Sequence, residues 1–361
     1  MKCRLKTKEL KNALAIHKSI VGKNSNLSIL TGVRLEANEG SLEIISTDLE
    51  RSLKSIIESE VINPGKCIAQ FKILANIANC CDDEFIELEL ITETNELKAD
   101  KVKSNTLAID EFPGFPVIKV DHLLRKLDYD SFMDSLNKVI ESTSKDQARP
   151  ILTGIMFDTV NDCLVATDSH RLAVSKYYFN RDIGNFIIPG SIYPILKEMA
   201  KSKNIKFDMI SDDNQIVFAI ANQTLVCRKL SGKYPDYRGL IPESFSYQYQ
   251  IQSKDLIKVI DKANKLFGLA DNIPIKLKFN SKQIDTEINI KESGNYRDTI
   301  PMNPLCKQDD CEQLFCFSRY LLKDCIKNFD TVTINTIEPL KPILLTNPGS
   351  EFKYLLMPIR I

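Results

Sequence analysis

The chain has 361 residues, 43% of them apolar and 27% charged, with 48 basic and 48 acidic side chains. That is a soluble globular composition, long enough for two or three domains, and its even balance argues against a uniformly basic nucleic-acid binder. No window nears the run of about eighteen apolar residues that a membrane span needs, and the opening MKCRLKTKEL lacks an apolar signal core, so a cytoplasmic protein with no membrane partner is expected.

One pattern recurs with a period of 122 residues: ILTGVRL at 29–35, ILTGIMF at 151–157 and IPIKLKF at 273–279. In the first copy, Leu10, Ala13, Leu14 and His17 recur at three- and four-residue steps and predict an amphipathic helix over 6–23. Strands follow through ILTGVRL and SLEIISTDLERSLKSII, then a helix over 70–81 and the strand pair IELELI and ELKADKV. The second copy predicts a helix over 128–145, strands through ILTGIMF and CLVATDSHRLAVSKYYF, a helix over 190–202, and strands in IKFDMI, QIVFAIA and TLVCRKL. Pro194 falls in the first turn of that helix, where a missing N–H does little harm. The third copy predicts a helix over 252–268, strands in IPIKLKF and QIDTEINI, a helix over 317–329, and closing strands in VTINTI, KPILLTN and FKYLLMPIRI. The fold class is therefore α+β: three tandem copies of one unit, each with two helices and antiparallel sheets. Proline-bearing links place the domains at 1–120, 121–243 and 244–361.

Charge is unevenly spread over these elements. Counted over 7–23, 70–81, 128–149, 190–203, 252–268 and 317–329, the helical segments hold eight more basic than acidic residues, leaving an equal acidic excess elsewhere. A basic helical side and an acidic exterior are the footprint of phosphate contact on one face. The clearest stripe is Lys254, Lys258, Lys262 and Lys265, opposite Leu256, Val259, Ile260 and Ala263. Lys11 and Lys18 in the first copy, and Lys138, Lys145 and Arg149 in the second, form shorter versions; Lys23, Lys197 and Lys201 complete the candidate phosphate-facing set. No sequence-reading motif accompanies them, so the binding implied is to a phosphate backbone, without sequence reading.

The segment VATDSHRLAV (165–174) sets Asp168, Ser169 and His170 side by side, which suggests a hydrolytic triad. In an extended segment, however, Ser169 points away from both neighbours, and working triads gather residues from distant positions. The same Thr-Asp pair recurs at Thr47 and Asp48 without Ser or His, so Asp168 is expected to accept backbone N–H groups of a turn. No catalytic residue is assigned, and without a GxxxxGK[ST] loop no ATP chemistry is expected. The ten cysteines include no CxxC pair and read as reduced, mostly buried thiols. Cys306, Cys311 and Cys316 lack the two-residue gap usual in zinc and iron–sulfur sites, and His17, His122 and His170 are scattered. Neither a metal nor another cofactor is called for.

The strings NLSILTGVRLEANEGSLEIISTDLE, ARPILTGIMFD, VATDSHRLAV, GKYPDYRGLIP and LLMPIRI, in this order over nearly the whole chain, resemble the bacterial DNA sliding clamp family, the β subunit of DNA polymerase III. The resemblance implies clamp (processivity-fold) domains, with two chains joined head to tail into a six-domain ring. Helices would line its hole and sheets its outer wall. Twelve helices about 9–10 Å apart leave an opening of roughly 25 Å, a loose fit for double-stranded DNA, which the resemblance implies is held independent of sequence with the basic set above facing it. Leu266 and Phe267 align with the family's subunit interface and equally suit an ordinary core.

The resemblance also implies a pocket for short apolar peptides of partner proteins: the DNA polymerase III α subunit, the clamp loader, and other clamp-binding polymerases and repair proteins. The matching positions are Leu152, Thr167, Ser169, His170, Arg171, Leu172, Pro235, Leu240, Tyr320, Leu355, Leu356, Met357, Pro358, Ile359 and Arg360. Gly239 stands where many members have arginine, and Ser169 where many have glycine. An alternative of another kind is a clamp-like binding module that no longer encircles DNA.

Overall fold

The computed structural model of the chain describes all residues except 23–26, 200–204, 269–272, 281, 291–293, 306–311 and 361, and of Ile290 only the backbone. Among the described residues the six apolar stripes form six α-helices: α1 (Thr7–His17), α2 (Phe71–Cys80), α3 (Tyr129–Ile140), α4 (Tyr193–Met199), α5 (Ser253–Phe267) and α6 (Arg319–Ile326). Each copy runs as a strand, a helix, a meander opening with three strands, a second helix, and three closing strands. The two ILTG blocks enter their strands through single turns of 3₁₀ helix, Ser28–Thr31 and Pro150–Thr153. None of the described helices is long and apolar enough to cross a membrane.

The chain divides into two compact units. The first comprises Met1–Met133, Phe179–Gly184 and Ile188–Leu230, and the second Asp134–Tyr178, Asn185–Ile187 and Ser231–Ile361. The first unit holds a five-stranded sheet in the order Glu60–Asn63, Lys2–Lys6, Phe85–Ile91, Glu96–Ala99, Val102–Asn105. Its other sheet has eight strands, ordered His122–Asp128, Lys206–Ser211, Gln215–Ile220, Gln223–Arg228, Arg51–Glu58, Ser41–Thr47, Gly32–Asn38, Gly65–Gln70. In the second unit a nine-stranded sheet includes Arg171–Lys176 beside Lys353–Leu356, and a four-stranded sheet runs Gly294–Pro301, Gln283–Ile290, Pro274–Phe279, Gln313–Ser318.

The long sheets are made by one joint used twice. Arg51–Glu58 pairs antiparallel with Gln223–Arg228, Ser55 opposite Gln223 and Arg51 opposite Cys227. Arg171–Lys176 pairs in the same sense with Lys353–Leu356, Arg171 opposite Leu356 and Val174 opposite Lys353. In both, the third strand of one copy's opening meander takes the last closing strand of the next copy. The compact units therefore differ from the sequence copies, because the middle copy contributes one sheet to each.

Packing follows the predicted stripes. Leu10, Ala13 and Leu14 of α1 and Leu74, Ile77 and Ala78 of α2 are buried in one cluster with Leu5, Val33, Leu42, Ile44, Leu88 and Leu97 of the first unit's strands. Each fully buried leucine there stabilises by roughly 1.5–3 kcal/mol. α1 also carries His17 into the interior, where Nδ1 lies 2.7 Å from Ser46 Oγ and Nε2 2.9 Å from Ser55 Oγ. Ser55 in turn donates to Gln223 Oε1 at 2.5 Å, so the ring's polar atoms are satisfied across the first joint.

The helices are shorter than the sequence count assumed. α3 stops at Ile140, where the run Ser142-Thr143-Ser144 turns its hydroxyls on the chain: Thr143 Oγ1 donates to Ile140 O at 2.7 Å, and Ser142 Oγ to the Tyr354 hydroxyl at 2.9 Å. Lys145 and Arg149 are thus loop residues and not part of a helical stripe. α1 ends at His17, with Lys18 as its C-cap. Within the observed helices the basic excess is four and not eight. Lys23 and Lys201 lie outside the described residues, as do Cys306 and Cys311. Of the described cysteines, seven are buried and Cys80 is exposed, and all are free.

Candidate functional site

The Thr-Asp segments build the same turn twice. Thr167 Oγ1 donates to Arg171 O at 2.6 Å, and Asp168 Oδ1 accepts the N–H groups of His170 and Arg171 at 3.0 and 3.1 Å. In the first copy Thr47 Oγ1 donates to Arg51 O at 3.0 Å, and Asp48 Oδ1 accepts from Glu50 and Arg51 at 3.1 and 2.7 Å. The third turn residue is left-handed in both, Leu49 at φ 75° and Ser169 at φ 76°. Asp168 is therefore the structural acceptor expected, and its carboxylate is occupied.

The arginine three positions on belongs to the turn as well. Arg171 Nε donates to Asp168 Oδ2 at 2.9 Å, its Nη1 reaches Asp324 Oδ2 at 3.2 Å, and its Nη2 donates to Glu141 O. Arg51 repeats the first contact, Nε to Asp48 Oδ2 at 2.8 Å, and donates from Nη1 to Ser191 O at 2.9 Å. The sequence carried this signal in the shared TDxxR spacing of TDLER and TDSHR, which the motif reading did not use.

In the second unit the turn forms one wall of a cavity of about 640 Å³. Of the residues the resemblance names, Leu152, Ser169, His170, Arg171 and Tyr320 line it, together with Thr143, Ser144, Lys145, Asp146, Arg149, Asp168 and Leu321. Lys145 and Arg149, candidates for phosphate contact by sequence, thus stand on the cavity's rim, in a loop whose first residues, 143–145, the apolar spacing assigns to helix. Ser169 and His170 are exposed, whereas Thr167, Leu172, Leu355 and Leu356 are buried beneath the wall and support it. Burial and then the neighbouring Asp324 push the Tyr320 phenol up.

The chain's end lies against this wall. Met357 N donates to His170 O at 2.9 Å and Ile359 N to Cys316 O at 2.7 Å. Those bonds leave the Met357 and Ile359 side chains each 41% exposed, with Pro358 half-buried and Arg360 exposed. Pro235 and Leu240 are exposed and do not line the cavity. Their loop is tied down by Tyr237, whose hydroxyl donates to Asp158 Oδ2 at 2.7 Å. At Gly239 an added Cβ would meet only Asp236 Oδ2 at 3.6 Å, so a side chain fits there.

The lysine stripe of α5 survives intact: Lys254, Lys258, Lys262 and Lys265 are exposed, and Leu256, Val259, Ile260 and Ala263 are buried on the opposite side. Gly268, at φ 57°, caps the helix with its N–H on Asn264 O. Leu266 is 59% exposed and Phe267 half-buried. In the first unit Lys11 and Lys18 line a groove of about 770 Å³ with Lys72, although Lys11 Nζ donates to Cys81 O at 3.0 Å. Lys138 is bound by Asp134 at 2.6 Å, and Lys197 is exposed.

This architecture matches known proteins over its length. Residues 1–116 match the family model of the DNA polymerase III beta subunit, N-terminal domain, and residues 126–236 that of its central domain. The chain belongs to the DNA polymerase III beta subunit family. It is 25% identical over 362 residues to the beta sliding clamp of Bacillus subtilis, covering 94% of both chains, and 26% identical over 276 residues to that of Halalkalibacterium halodurans, covering 72% of both. The solved sliding clamp of Bacillus subtilis superposes with TM-score 0.90 at 23% identity, covering 100% of this chain and 99% of that one. A DNA polymerase III beta subunit structure from Eubacterium rectale gives TM-score 0.91 at 19% identity with both chains fully covered. The chain is accordingly a DNA sliding clamp, a non-catalytic processivity factor of replication.

Proposed function

We propose that two copies of this chain close head to tail into a ring around duplex DNA, built from clamp domains at 1–120, 121–243 and 244–361. The observation that carries this reading is the joint used twice within the chain. A third joint of the same kind would pair the last closing strand of the first copy, Val102–Asn105, with the third meander strand of the last copy, Gly294–Pro301. Both are edge strands of their sheets, with one side unpaired. They belong to opposite ends of the sequence, so a partner's Gly294–Pro301 can meet this chain's Val102–Asn105 and the reverse, a heterologous contact that closes after two chains. Leu266 and Phe267, at the end of α5 in the last copy, supply apolar surface for that contact.

The α5 lysines would bear on phosphates without reading bases, which lets the ring slide. The cavity beside His170 would take short apolar peptides of the DNA polymerase III α subunit, the clamp loader, and other clamp-binding polymerases and repair proteins. Met357 and Ile359, exposed on a tail whose backbone bonds reach His170 and Cys316, suit an adaptable apolar groove. The cytoplasm is where such partners work.

The test is topological. Loaded on nicked circular DNA, the protein stays bound through a high-salt wash and is released when the circle is cut once. Retention on the linear product, or a strict monomer by size exclusion that never stays on the circle, would sink the ring and favour a clamp-like module that does not encircle DNA.

A further inference from the structure

The paired helices of the first and third copies match position by position, and the first copy lacks the side chains that close the seam between them. Thr7 and Ser253 open α1 and α5 alike, their N–H groups donating to Glu84 O at 2.9 Å and Asp330 O at 3.0 Å. Leu10, Ala13 and Leu14 are buried as Leu256, Val259 and Ile260 are, and Leu74, Ile77 and Ala78 of α2 as Leu322, Cys325 and Ile326 of α6. On that alignment Ala15 stands at the place of Asp261 and Ala75 at that of Lys323. The third copy makes an ion pair of the two across its helices, Lys323 Nζ to Asp261 Oδ1. The second copy holds Asn137 and Lys197 there.

With two alanines, the seam between α1 and α2 stays open as the groove of about 770 Å³. Leu14, Ala15, Phe71 and Ala75 give it an apolar floor, Lys11, Lys18 and Lys72 stand around it, and no carboxylate lines it among the described residues. Lys11 Nζ is held by Cys81 O at 3.0 Å, whereas Lys18 and Lys72 are exposed and without an ion pair among the described residues. The third copy's seam carries its own carboxylate; the first offers ammonium groups alone. DNA phosphates meeting these lysines would stay hydrated and leave the apolar floor in water. A volume between about 300 and 1,000 Å³, an apolar lining and a few polar groups describe a small-molecule site.

We propose that the groove between α1 and α2 binds a small organic anion with an apolar body, an aromatic or aliphatic acid, whose ring or chain covers Ala15 and Ala75 while its carboxylate meets the rim lysines. Such a ligand brings what Asp261 brings to the third copy, a carboxylate over the helix seam. Lysine stems lie along apolar surface with their ammonium groups still in water, so binding the anion buries no charge.

Alanine-methyl NMR of the full chain tests this, with naphthoate as the probe, naphthalenemethanol as its neutral twin, and the methyls of Ala15, Ala75 and Ala78, all on the groove, as reporters. Naphthoate should move the reporters together and saturably, binding at least about fivefold tighter than the alcohol at low salt, a gap that narrows as salt is raised. Lys18→Gln with Lys72→Gln should reduce the acid to the alcohol's affinity. Ala15→Asp with Ala75→Lys installs the third copy's ion pair without changing the net charge. That variant should keep its thermal midpoint within a few degrees and lose the Ala78 response; should it unfold, the lysine variant decides alone. No saturable shift in the wild type, equal binding of acid and alcohol, or an undiminished Ala78 response in the folded plugged chain would overturn the proposal. Reporters moved by a short duplex or by an acidic leucine-rich helix, and not by naphthoate, would also overturn it and give the groove to DNA or to a partner protein.

Discussion

Arg171 and Asp324, 153 positions apart in the chain, meet with Nη1 and Oδ2 at 3.2 Å, joining the Thr-Asp turn of the second copy to α6 of the third. Both side chains are almost wholly buried. Removing Arg171 leaves Asp324 with only Lys327 Nζ, 3.0 Å from its Oδ1, and Asp168 without its guanidinium, a loss that approaches the roughly 3–5 kcal/mol of a broken buried pair. Arg171→Ala should therefore lower the urea midpoint sharply, and Arg171→Ala with Asp324→Asn should recover part of the loss. Arg51→Ala, at the more open first-copy turn, should cost less.

His17 makes the first unit sensitive to acid. Complete burial lowers its pKa from 6.5 to about 3. The folded protein keeps the imidazole neutral where the unfolded chain binds a proton. Its contribution is therefore fully present above pH 6.5 and is lost as pH falls from 6.5 towards 3, by up to about 1.4 kcal/mol per pH unit. Urea titrations at pH 7, 6 and 5 should show this slope, and His17→Gln should flatten it while lowering stability at pH 7. An unchanged slope in the variant would mean that other groups control the acid limb.

If the C-terminal tail belongs to the peptide groove, its deletion separates partner capture from folding. The last strand ends at Leu356, and the tail beyond it is held by backbone bonds from Met357 and Ile359. Two such bonds contribute on the order of 1 kcal/mol each. Deleting Met357–Ile361 should leave the thermal midpoint within a few degrees of the full chain, with loading on DNA retained. If Met357 and Ile359 contribute apolar surface to the bound peptide, its affinity should fall more than about tenfold. Undiminished peptide binding would remove the tail from the site.

The α-helical stripes were readable because periodicity is local: each needed only a dozen residues and the 3.6 repeat. The turn at Asp168 was readable for a different reason, since its copy at Asp48 showed which residues the architecture retains and which the second copy adds. Arg171 lines the cavity, and its guanidinium is spent on Asp168, which the TDxxR spacing marks, and on Asp324 and Glu141, which no spacing brings together. Loop 143–149 was hidden because the segment ESTSKDQ after Ile140 holds no proline or glycine to mark a stop, while the hydroxyls of Ser142 and Thr143 end the helix. Pairing of Arg51–Glu58 with Gln223–Arg228 lay furthest from view, because a strand's alternation fixes which face is buried and not which neighbour lies beside it.

The α5 stripe is the part of the proposed DNA surface least entangled with the fold. Lys254, Lys258 and Lys265 are exposed and without ion pairs among the described residues, whereas Lys262 lies 3.9 Å from Asp298 and over the Tyr296 ring. Changing Lys254, Lys258 and Lys265 together to Gln should therefore leave the thermal midpoint nearly unchanged. If these lysines bear on phosphates, each lost contact lowers the slope of log affinity against log salt by about 0.9. Binding of the variant to short duplexes over a salt series should show a slope shallower by up to about 3, equally for unrelated sequences. A variant that loses affinity for one sequence only would point to base reading, and one with an unaltered slope would place the DNA on another face.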